Sequence, residues 1–125
     1  MKQKKIKILY QPLKAKWYRM IESGEKPEEY REATVYWCKR FVGHNFLPFS
    51  HLYACSDLNA KEYTHVQFSL GYPKKGDESR RMTFELKRVE YRGGREEWGA
   101  EKGKKYLVEV LGRRTTLDGR MLWQE

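Results

Sequence analysis

Ser23-Gly24-Glu25-Lys26-Pro27-Glu28-Glu29-Tyr30-Arg31-Glu32 places a helix stop, a proline and a run of alternating charges within ten residues. Gly24 stands where a left-handed C-terminal cap is expected, because glycine has no Cβ to clash there. Pro27 cannot donate to a β-ladder, so it belongs at the start of the strand predicted over Pro27 to Glu32. Glu29 and Arg31, two apart on that strand, share one face. A regular strand would send Lys26 to the other face. The turn at Gly24 and the constraint of Pro27 relieve this and let its ammonium swing over the same cleft.

Working outward, Leu13, Trp17, Met20 and Ile21 recur at helical spacing, predicting a helix over Leu13 to Ser23 introduced by Pro12. Before it, Ile6, Ile8 and Tyr10 alternate with Lys5, Lys7 and Leu9, a first strand. After the charged stretch, Thr34 caps a second helix carrying Val35, Cys38 and Val42 on one side, with Trp37 and Phe41 beside them, and Gly43 ends it. Residues 44–62 show no firm pattern. Val66, Phe68 and Leu70 alternate in a strand over Thr64 to Leu70, followed by a turn-rich loop. Met82, Phe84 and Leu86 begin another strand that continues past an irregularity through Val89 and Tyr91 to Gly93-Gly94. Tyr106, Val108 and Val110 mark one more, and Met121 to Trp123 a short last one. The fold class is therefore α+β, a curled sheet or barrel with two or more helices packed on it. The 125 residues suit one domain spanning 1–125, and the 14% aromatic content supplies bulky side chains for a small core despite a mean hydropathy of -0.92.

The net charge is +9, and it is spread along the chain: 12 basic against 7 acidic residues up to Glu62, and 14 against 10 from Tyr63. A basic surface attracts phosphate backbones, although solubility alone also accounts for it. The apolar run Ile8-Leu9-Tyr10 is too short for a signal peptide and no stretch is long enough to span a bilayer. The expected location is cytoplasmic, with no membrane partner. Two cysteines make no disulfide framework. Cys38, His44, His51 and Cys55 lack the spacing of a zinc ribbon or finger, so a buried cysteine and scattered histidines are preferred, with no metal and no cofactor.

Gly24, Lys26, Glu29 and Arg31 fit the pattern G-x-K-x-x-E-x-R directly after an amphipathic helix. This resembles the signature of ASCH domains, which are similar in fold to PUA RNA-binding domains. Leu9 to Pro12 with the following helix, and the stretches His65 to Tyr72 and Glu97 to Gly112, resemble the family's other elements in phage and bacterial proteins, so the likeness covers most of the chain. It implies a PUA-like β-barrel that binds RNA or a nucleotide in a cleft built on the motif. Lys26 and Arg31 would contact phosphate while Glu29 reads or orients the ligand, and binding would weaken steeply with salt. The likeness also implies an alternative, a small hydrolase of modified nucleosides or a ribonuclease, with Lys26 and Glu29 as the proton-transfer pair. In the family's amidohydrolase subgroup a threonine takes the position of Glu29, and a carboxylate cannot replace a hydroxyl nucleophile without changing the mechanism. Read without the family, the same charges also suit an exposed run pairing in water, which contributes little stability.

Two aromatics join the candidate site. Tyr72 follows Gly71 in a loop with Lys74, Lys75, Arg80 and Arg81, and Trp98 lies between Glu97 and Gly99. Beside basic residues such rings stack on unpaired bases. For Trp98 a second reading, a ring folded back as a core plug, is slightly favoured; Tyr30, of opposite parity to Glu29, reads as core. A protein-interaction domain using its aromatic surface is a third functional class.

Overall fold

Pro12 does not introduce the first helix; it lies within the first strand. In the computed structural model, which describes residues 5–42 and 62–116, β1 spans Ile8–Leu13 and α1 only Ala15–Glu22. Among the described residues β1 is an edge strand, paired in parallel with β3 (His65–Leu70) on one side only, so a residue without an N–H costs no ladder bond there. The inward residues of β1 are Leu9, Gln11 and Leu13, while Tyr10 faces out. α1 buries Tyr18 and Ile21 and lies against β3.

The remaining elements follow the expected order. β2 spans Glu28–Glu32, α2 Val35–Val42, β4 Arg81–Gly93 and β5 Lys105–Thr115. Thr34 caps α2 as expected, its hydroxyl accepting the Trp37 N–H at 3.2 Å. The buried stripe of that helix runs through Cys38 and Phe41, whereas Val35 is exposed. The irregularity expected in β4 is present as register shifts around Leu86. Gly43, His44, His51, Cys55 and the strand expected over 121–123 lie outside the described residues.

The five strands form one curled half-barrel sheet in the order β1-β3-β4-β5-β2. Leu9, Val66, Phe68, Phe84, Val89, Leu107 and Leu111 fill the inside of the curl with residues of both helices. Burial of each such side chain contributes about 1.5–3 kcal/mol. β5 is covered on both faces. Tyr106 and Val108 do not join the main core but form a second cluster with Ala100, against which Tyr30 and Val110 pack, and Leu107, Glu109 and Leu111 point into the curl instead. Among the described residues, no helix is long and apolar enough to cross a membrane.

Candidate functional site

The turn after α1 sets the position of Lys26. Gly24 takes the left-handed backbone expected of it (φ 87°), and the Lys26 N–H returns to the Met20 carbonyl at 3.0 Å. The Lys26 side chain therefore runs beneath Trp17 and is only 2% exposed. Its ammonium lies 4.4 Å from the Trp17 ring centroid and 5.5 Å from that of Tyr30, and donates to Glu29 Oε1 at 2.5 Å. The flexible arm is apolar along its length, so the chain can bury it and satisfy the charged tip at one carboxylate.

Glu29 and Arg31 do share a face, and it is the inside of the curl. Arg31 Nη2 stands 3.9 Å from Glu29 Oε2, while its Nε donates to Gln11 Oε1 at 2.9 Å and Nη2 donates to the same oxygen. The guanidinium sits 5.0 Å from the Trp37 ring centroid. Gln11 Nε2 in turn donates to Glu109 Oε2. Glu109 is fully buried and its Oε1 has no hydrogen-bond partner among the described residues. Burial raises its pKa to about 7, with Arg31 and the Gln11 amide pulling the other way and Glu29 adding to the rise. The motif is thus the visible half of a buried polar cluster whose other half is Gln11 and Glu109. Neither was singled out from sequence. The available signal was a polar residue at an inward position of β1 and one carboxylate inside the run Tyr106 to Leu111.

Lys26 and Glu29 also form one wall of an open hollow of about 220 Å³. Trp17, Tyr30, Trp98 and Tyr106 supply aromatic surface, and Glu32 and Glu101 also line it. The loop from Gly94 to Lys104 builds the far side. A Cβ on Gly99, whose φ is 104°, would lie 2.9 Å from the Trp17 ring, and one on Gly94 would lie 2.5 Å from Tyr30. Only glycines let the loop approach α1 and β2 this closely. The loop is anchored by the Tyr30 hydroxyl, which accepts the Arg95 N–H at 3.0 Å and donates to Glu28 at 2.6 Å. Burial and the neighbouring Glu28 raise the pKa of this phenol. Arg92 holds Glu28 in turn, with Nη2 at 2.8 Å. Tyr106 fixes the other end, its hydroxyl accepting the Glu101 N–H at 3.0 Å.

The expected ligand-binding residues therefore separate. Lys26, Glu29 and Trp98 line the hollow; Trp98 is half-buried, a wall rather than a core plug, with the Arg95 guanidinium 4.8 Å from its ring centroid. Tyr30 is half-buried as well and lines the same hollow. Arg31 turns inward to Gln11, and Gly24 shapes the turn without lining the hollow. Tyr72, 91% exposed, lines a different depression. Both cations expected to meet phosphate are already paired, and the hollow carries one basic side chain against three acidic ones. No family model matches the chain, and neither the curated proteins nor the solved structures give a match.

Proposed function

We propose that this chain is an ASCH-type, PUA-like module that binds RNA or a nucleotide by taking one unpaired base into the hollow beside Trp98. The observation carrying this reading is a buried Lys26–Glu29 pair in the wall of an aromatic-lined depression open to solvent. A buried ion pair is weak support for stability, because desolvating both charges offsets most of their attraction. Its use is better sought in what it offers a ligand. A base edge presents acceptors to the ammonium and donors to the carboxylate, while its faces stack on indole and phenol rings. The curled sheet with its two helices, and the motif residues Gly24, Lys26, Glu29 and Arg31, support the family assignment on which the reading rests.

Isothermal titration calorimetry with the four ribonucleoside monophosphates and short RNAs tests it. Saturable binding is expected, about tenfold weaker in Trp98→Ala, since stacking on one ring contributes roughly 1–3 kcal/mol. Lys26→Ala should weaken binding with little change in salt slope, because Glu29 already neutralises that charge. Heats indistinguishable from dilution for every ligand would reject the reading.

A hydrolase is the second reading, favoured by the 2.5 Å contact between Lys26 Nζ and Glu29 Oε1, a distance suited to proton exchange. Glu29→Gln would then abolish turnover of acylated cytidines or short RNAs while ligand binding persists. Absence of product at high protein concentration removes it.

A further inference from the structure

The registers of β1, β3 and β4 set outward side chains in rows. Tyr10 stands opposite Gln67, and Gln67 opposite Thr83; in the next row come Pro12, Ser69 and Arg81. The Gln67 amide donates to the Thr83 hydroxyl at 3.1 Å, so the middle of this face is polar and already ordered. At its margin two large rings stand in water, Tyr10 at 63% and Tyr72 at 91% exposure. Both line one depression of about 180 Å³ with Gln67, Ser69 and Arg81. A neighbouring depression of about 310 Å³ shares Gln67 and Arg81 and wraps round the end of the sheet, where Glu78 and Arg114, the latter opposite Phe84 in the register, also line it.

The electrostatics of this face differ from those of the hollow. Arg81 donates to the carbonyls of Pro73, Lys74 and Asp77 and makes no ion pair among the described residues. Its guanidinium is held by backbone carbonyls, and the nearby Asp77 carboxylate, bonded to Ser79 and paired with Arg80, acts on it without a salt bridge. Arg114, Lys74 and Lys75 likewise pair with no carboxylate among the described residues. Across Gly71 to Arg81, four basic residues face two acidic ones. Exposed rings call for flat partners and unpaired guanidinium groups call for anions. A single polynucleotide strand brings both with every residue, whereas a duplex hides its base faces.

We propose that this face is a second binding site, one for single-stranded nucleic acid, with bases stacked on Tyr10 and Tyr72 and phosphates beside Arg81 and Arg114. It is separate from the hollow beside Trp98 and does not depend on what that hollow binds.

The test is fluorescence anisotropy with a labelled oligouridylate of roughly twelve nucleotides, a length within the usual range for such surfaces. Tyr10→Ala and Tyr72→Ala should each weaken binding about tenfold and the double variant more, with the fold checked by circular dichroism. Arg114→Gln should lower the salt slope by about one. Tyr36→Ala, removing an exposed ring on α2, is the control and should bind like the unaltered chain. The proposal is overturned if the unaltered chain fails to hold the strand, if the double tyrosine variant binds equally well, or if Tyr36→Ala matches its loss. Strand binding that depends on both tyrosines, without any mononucleotide binding, would remove the hollow's reading and leave this one standing.

Discussion

Gln11 Oε1 accepts both the Nε and the Nη2 hydrogens of Arg31, joining the two edge strands of the sheet through one side-chain amide. The other end of that amide holds Glu109. A glutamine is suited to this place because it offers an acceptor to a cation and a donor to a carboxyl from one planar group. Gln11→Leu keeps similar bulk but removes the hydrogen bond of the buried Glu109 and leaves Arg31 with only its 3.9 Å contacts to Glu29 and Glu109. The expected loss is about 2–4 kcal/mol in urea unfolding, with an unchanged m-value.

Glu109 should make stability fall as pH rises. Its pKa in the folded chain, about 7, stands above its ordinary value of 4.5, so between these the folded state holds the extra proton. Its contribution is fully present below about pH 4.5 and is lost by about pH 8, on the order of 3 kcal/mol in all. Lys26, Glu29, Arg31 and Gln11 are the polar groups facing it, and Val89 is its neighbour on β4. Glu109→Gln cannot titrate, so denaturation midpoints measured from about pH 5 to about pH 8 should decline less than in the unaltered chain. Glu28 and Glu90 are shifted downward by their arginine partners, against the opposing effect of burial, and lose stability only in stronger acid; comparing the two proteins cancels them.

Gly99→Ala should disturb the hollow before it disturbs the fold. The added methyl would sit in a left-handed backbone and against the Trp17 ring. We expect a cost of about 1–3 kcal/mol from the backbone and the displaced loop together. Thermal unfolding reads the stability, and nucleotide titration should show a larger proportional loss than the change in melting temperature suggests.

Cys38 should resist thiol reagents in the native chain. It is fully buried on α2, and burial pushes its thiol pKa up, so little thiolate is available. Mass-spectrometric mapping should find Cys38 alkylated slowly in buffer and rapidly in concentrated urea. Rapid native labelling would show that α2 opens away from the sheet.

Much of the architecture was legible locally. The glycine stop at Gly24, the Thr34 cap and the alternation of Val66, Phe68 and Leu70 each report a conformation set by nearby residues. Pro12 misled because the same missing N–H suits a helix start and an outer strand, and only the pairing partner distinguishes them. β5 misled for another reason: with both faces covered, alternation could not say which face holds the main core. The site was half legible. Lys26, Glu29 and Arg31 share one stretch, but Gln11 meets Glu109 across 98 positions of sequence, and Trp17 meets Gly99 across a comparable gap. Such encounters are products of topology.

β1 and β2 meet through side chains with no ladder between them, so each has a flank of backbone amides and carbonyls that no neighbouring strand among the described residues occupies. Parting these strands would offer two sticky templates to any extended segment, including those of identical chains. Pro12 blunts one of them by withholding a donor. The Gln11–Arg31 clasp, by holding these two edges together, would on this view limit such self-pairing as well as shape the inside of the curl.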